Sequence, residues 1–195
     1  MLQDAHMLRL GILLHLFVLL PLTAHPLVEA AKKQIGVTTS YDGSYVTLDY
    51  PGGDVPMETG VCTDVLVRAA RIAYEVDLQK AVHLDMKANF SKYPKIWGLS
   101  RPDRNIDHRR VPNLQTFLKR KHKSLPVTQN AEDYLPGDIV TCMVNGNLPH
   151  VMIVSDEKTT DGQPYIIHNV GGGVREQKAL FLWPLTGHYR WVEAG

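Results

Sequence analysis

The hydrophobic pattern of this chain changes period once, around Pro136-Gly137, and that switch constrains the fold more than any other feature. Upstream, apolar residues recur at helical spacing; downstream, short runs follow the period of two that a strand imposes. Beyond Gly60, residues Val61, Val65, Leu66, Ala69, Ala70, Ile72 and Ala73 are spaced to bury one helix face, with Cys62 in the first turn. A second helix is predicted from Asp77, a carboxylate suited to the N-cap, with Leu78, Val82, Met86 and Phe90 turned inward. A short helix over 27–34 precedes them, and Asn113 is expected to cap another over 114–121, whose basic end at 119–123 reads as a solvated helix terminus. The polar stretch between residues 91 and 112 is expected to be a long surface loop. Strands are predicted at 138–144, 151–155, 165–168, 180–183 and 188–192, with turns at Asn145-Gly146, Asp161-Gly162, Gly171-Gly172-Gly173 and Thr186-Gly187. Helices followed by an antiparallel sheet define an α+β domain.

The N-terminus stands outside this pattern. Arg9 precedes an apolar stretch over 10–22, interrupted by His15 and Pro21 and shorter than the roughly 18 to 20 residues a membrane span needs. It reads as a secretory signal peptide over 1–26, cleaved between residues 24 and 31; an uncleaved anchor is the rival, disfavoured by length. The expectation is a periplasmic or secreted protein with a single domain over 27–195 and no stable membrane span after cleavage. A formal charge of +1, from 21 Lys plus Arg against 20 Asp plus Glu, lacks the basic excess of a general nucleic-acid binder. Two cysteines in 195 residues exclude a disulfide scaffold and raise the question of what each does.

Cys62 at a helix start, His150 at the opening of one strand and His168 at the end of the next form a candidate Cys-His-His acyl-transfer site. The helix dipole and an adjacent imidazolium are expected to lower the thiol pKa, and His168 to fix the tautomer and orientation of His150. An inert buried thiol is the bland alternative for Cys62. Cys142 reads as a packed strand residue, with a Cys62 to Cys142 disulfide as the rival. No short-spaced ligand pair suggests a metal, and no cofactor is expected. His83 and Asp85 read as ordinary surface residues, and Trp97, Trp183 and Trp191 as packing residues. In the run Asp107-His108-Arg109-Arg110, a solvated loop competes with an Arg that grips a substrate carboxylate.

Five segments carry a resemblance: Gly36-Val37-Thr38-Thr39-Ser40-Tyr41, Gly60-Val61-Cys62-Thr63-Asp64, Leu135-Pro136-Gly137-Asp138-Ile139-Val140, Pro149-His150-Val151-Met152-Ile153-Val154 and Ile166-Ile167-His168-Asn169. In this order they resemble the NlpC-type cysteine peptidases and amidases of the papain-like superfamily. The whole mature chain looks more closely like a YijF-like family of exported bacterial proteins placed in that superfamily. One departure is local: the NlpC pattern usually has Asp before the nucleophile and Ser-Gly after it, where this chain has Val61 and Thr63-Asp64. The resemblance implies a papain-like core with N-terminal helices on the sheet, and an exported amidase or endopeptidase acting on peptidoglycan stem peptides through Cys62, His150 and His168. It also implies that Tyr41, Asp64, Asn169, Arg109 and Arg110 surround the oxyanion and substrate. The alternatives are a non-catalytic cell-wall or peptide-binding module of the same fold, and a thiol acyltransferase.

Overall fold

Periodic burial builds the helical layer. In the computed structural model, which describes residues 24–191, Val65, Leu66, Ala69 and Ala70 are all at most 1% exposed on one face of α2 (Cys62–Tyr74). Ile72, expected on that face, is 57% exposed on the other. The Asp64 carboxylate accepts the Val61 backbone N–H at 2.7 Å and so closes the first turn, while Glu75 ends the helix in the left-handed region. α1 (Pro26–Lys32) packs against α2. α3 (Leu78–Asn89) begins as predicted, with the Asp77 carboxylate accepting the Gln79 N–H at 3.1 Å. α4 (Val111–Arg120) starts three residues before the predicted helix, because Pro112 fits the first turn. Asn113 is therefore inside the helix, not its cap, and its side-chain amide donates to the Asp107 carbonyl at 3.1 Å.

The remaining chain forms one antiparallel sheet from β1 (Ser124–Leu125), β2 (Ile139–Val144), β3 (Leu148–Lys158), β4 (Pro164–Asn169), β5 (Val174–Gln177) and β6 (Leu185–Tyr189). Its six strands run in the order β1-β6-β2-β3-β4-β5. Three expectations fail here, one of them the turn at Thr186-Gly187, which lies within β6. Residues 180–183 are not a strand; Ala179 and Leu180 plug the second face of the sheet instead. The last strand ends at Tyr189, three residues before the predicted end, whose final residue lies outside the described residues, as does the signal segment through residue 23. Strand alternation divides the core: Ile139, Val151, Ile153 and Ile167 pack with the helices, and Val140, Cys142, Met152, Val154 and Ile166 pack on the opposite face.

Two buried charge clusters hold the layers. At the entry to β2, the Asp138 carboxylate accepts from His188 Nε2 at 2.7 Å, from Arg190 at 2.6 and 2.7 Å and from the Leu135 N–H at 2.9 Å. Gly137 precedes it at φ +81, with the His25 ring where a Cβ would stand, so only glycine fits. Asp85, expected at the surface, has a side chain only 8% exposed and gathers Tyr93, Arg120 and Lys121. At the basic end of α4, Arg120 and Lys121 are accordingly paired with Asp85.

Candidate active site

Cys62 is the first residue of α2 and is 5% exposed. It lines a cleft of about 330 Å3 with Tyr41, Val61, Trp97, Arg110 and Pro149. Burial pushes its thiol pKa up to about 11, with the nearby Asp64 charge adding to the rise; the backbone N–H groups of Val151, Thr63 and Cys62 only partly counter it. The expected lowering by the helix terminus is therefore overturned: desolvation of a thiolate outweighs the dipole.

The two histidines meet. His150 Nε2 lies 2.8 Å from His168 Nδ1, and His168 Nε2 lies 2.8 Å from Gln177 Oε1. The register that pairs Ile153 with Ile167 extends to set His168 diagonal to His150, on one face of the sheet, where a cross-strand hydrogen bond can span them. Trp183 covers both rings, at centroid distances of 6.2 and 6.1 Å. Burial, then the neighbouring His168, lowers the His150 pKa to about 3. His168 is lowered by burial, against the pull of Gln177 and with that of Arg175. Both rings are thus neutral at ordinary pH.

Cys62 and this pair are not brought together: His150 stands opposite Cys142 on the sheet face away from the helices, whereas Cys62 packs in the helical cluster. His150 lines a second cavity of about 360 Å3 with Tyr41, Val144, Leu148, Pro149 and Val170, so Tyr41 and Pro149 belong to both cavities. No hydrogen bond joins the Cys62 thiol to either histidine among the described residues. Tyr41 is 47% exposed, and partial burial followed by the Cys62 and Asp64 charges raises its hydroxyl pKa to about 12. It remains a hydrogen-bond donor at the junction of the two cavities.

Three residues expected around the substrate are engaged in the scaffold instead. Arg109 Nε and Nη2 donate to the Asp64 carboxylate at 3.0 and 2.9 Å, and its Nη1 and Nη2 reach the carbonyls of Ser44 and Asp42. Their side chains are 2% and 4% exposed, so the pair is a strut behind Cys62 and gives Asp64 a structural role. Asn169, fully buried, donates from Nδ2 to the carbonyls of Ser40 at 3.0 Å and Gly60 at 2.9 Å, tying the chain before Tyr41 to the chain before Cys62. Gly173 lets β5 close on the same segment; at φ +95 its Cβ would stand 2.6 Å from the Thr38 carbonyl oxygen. Arg110 differs: its guanidinium lies 4.2 Å over the Trp97 ring, touches Asp107 once at 3.3 Å and lines the Cys62 cleft. Trp97 is accordingly a cleft wall as well as a packing residue.

Cys142 sits on β2 opposite His150, buried among apolar neighbours, and burial raises its thiol pKa to about 12. Both cysteines are free thiols. Sequence reasoning missed Gln177 and Arg68. The Arg68 side chain is 3% exposed and binds Asp54, Thr38 and the carbonyls of Val55, Pro56 and Thr59, which shapes the loop leading to Cys62. Among the described residues no group of three or more His, Cys, Asp or Glu side chains is placed to hold a metal ion, and no helix is long and apolar enough to cross a membrane.

Helices on one face of a six-stranded antiparallel sheet, with a thiol and an imidazole pair at adjoining cavities, define an α+β protein with a candidate nucleophilic site. The chain belongs to the family described as Domain of unknown function (DUF1287), whose model matches residues 28–191. It is 52% identical over 165 residues to "Uncharacterized protein YijF" of Escherichia coli (strain K12), a match spanning 85% of this chain and 80% of that protein, and so belongs with the YijF-like proteins. No solved structure matches the chain.

Proposed function

We propose that this protein is an exported cysteine hydrolase of amide bonds, with an NlpC-type papain-like core and peptidoglycan stem peptides as its substrate class. The observation that carries the reading is the hydrogen-bonded imidazole pair, His150 to His168 at 2.8 Å, at a cavity adjoining the one that Cys62 lines. With thiol and imidazole both neutral at rest, the proton moves during attack rather than before it. The reading requires substrate spanning the two cavities, past Tyr41 and Pro149, to bring the thiol within reach of His150. His150 takes the thiol proton as Sγ bonds to the carbonyl carbon, and the Cys62 backbone N–H and the Tyr41 hydroxyl donate to the oxyanion. His150 then gives that proton to the departing amine as the C–N bond breaks. Water, deprotonated by His150, cleaves the thioester, releasing the acid and restoring the thiol. His168 acts through His150 and is a positioning residue.

The choice of stem peptides and of export rests on the resemblance of the motifs and on the apolar N-terminal segment. The test is release of peptides from purified cell-wall fragments. Cys62→Ala should abolish release while keeping the wild-type circular dichroism and fragment binding. Equal release by Cys62→Ala and wild type overturns the hydrolase reading; binding without release by either protein replaces it with a non-catalytic module.

A further inference from the structure

We infer that Gln177 is a positioning residue that sets the tautomers of His168 and His150 and leaves Nδ1 of His150 as the free lone pair. Gln177 closes β5 on the same side of the sheet as His168, whose cross-strand partner is Arg175. Its Oε1 is an acceptor only, so His168 Nε2, at 2.8 Å, carries a proton. A neutral His168 then has a bare Nδ1, which accepts from His150 Nε2–H across the second 2.8 Å contact. His150, also neutral, has no proton left for Nδ1. The relay thus runs in one direction from an uncharged amide, and its far end is the atom a general base needs.

The surroundings keep it so. Cys142 faces His150 from β2, Tyr41 shares its cavity, and Arg175 beside Gln177 on β5 adds positive charge that opposes an imidazolium at His168. The one acid on β5, Glu176, turns to the opposite face, where it meets Ser155 and Lys32. Trp183 covers both rings against water. A carboxylate in place of Gln177 would behave differently. It would hold His168 as an imidazolium, whose Nδ1–H would donate to His150 Nε2, and the His150 proton would move to Nδ1 and block the base.

The tautomer assignment stands apart from the hydrolase reading; only the role given to His150 rests on it. Imidazole 15N spectra of the uniformly labelled protein should show both histidines protonated at Nε2. Gln177→Glu should move the His150 proton to Nδ1 below the new His168 pKa and shift the acid limb of amide hydrolysis upward by about one pH unit or more. Gln177→Leu should leave the tautomers mixed and lower kcat about tenfold or more with KM unchanged. A wild-type spectrum with His150 protonated at Nδ1 overturns the inference, as do wild-type spectra and pH profile in Gln177→Leu. An inactive wild-type protein with the expected spectra removes the hydrolase reading alone.

Discussion

At Cys62 two effects of opposite sign meet, and their sizes decide the outcome. A helix N-terminus favours a thiolate by about 0.3–1 kcal/mol when exposed and up to about 2 in partly buried sites, whereas full burial shifts a group by as much as about 3–5 pKa units. At 5% exposure burial wins, and the thiol rises to about 11. Alkylation by iodoacetamide follows the thiolate fraction, so its rate at Cys62 should climb about tenfold per pH unit from pH 7 to 10. Mass spectrometry of the labelled peptides measures this, and a plateau by pH 8 would show a preformed thiolate instead. Cys142, packed in the second core cluster, should react more slowly throughout. The sequence made Cys62, His150 and His168 visible because each couples a reactive type to an element boundary. It could not show the burial that reverses the pKa shift, since the cleft walls Trp97, Arg110 and Pro149 are supplied from distant parts of the chain.

The elements were legible in proportion to their periodicity. α2 and α3 are long enough for several repeats of the helical stripe, and β2 to β4 each carry a clear apolar run. β5, Val-Arg-Glu-Gln, has no such run: its pairing with β4 is made by backbone groups, and Gln177 was hidden with it. Long-range ion pairs were equally invisible, Asp64 and Arg109 being 45 residues apart in sequence. That pair joins the start of α2 to the turn before α4 and to the Tyr41 loop through the Asp42 and Ser44 carbonyls. Arg109→Leu would strand a buried carboxylate and should lower the unfolding free energy by about 3–5 kcal/mol. Arg110→Leu removes a partly exposed ion pair and a ring contact, and should lose about 1–2 kcal/mol. Urea unfolding of the two variants separates them; equal losses would mean that Arg109 is not the strut.

At the scale of the whole molecule, stacking helices on one sheet face and a second apolar cluster on the other encloses ionisable groups that respond to acid together. His108, 2% exposed between α3 and α4, is lowered to about 4 by burial and then by Arg109 and Arg71, and His150 is lowered to about 3. A base depressed in the folded state contributes stability that is fully present above its unfolded pKa, about 6.5, and is lost as the pH falls toward its folded value. Asp138 adds to the loss further down: burial raises its pKa, but Arg190 and His188 hold it below the usual carboxylate value, so its stabilisation fades below about pH 4. Asp107 works the other way, since burial lifts it to about 6 and its ionisation penalty is relieved in acid. The depressed imidazoles, His168 among them, outweigh the one raised carboxylate and leave a net loss between pH 6.5 and 4. The His108 share is about 3 kcal/mol across that interval. Urea midpoints should therefore fall steadily from pH 7 to 4.5, and His108→Gln, which cannot take up a proton in the unfolded chain, should flatten that slope measurably whatever it does to the stability at pH 7. A His108→Gln slope equal to that of wild type would mean that His108 is solvated enough to titrate in the folded protein.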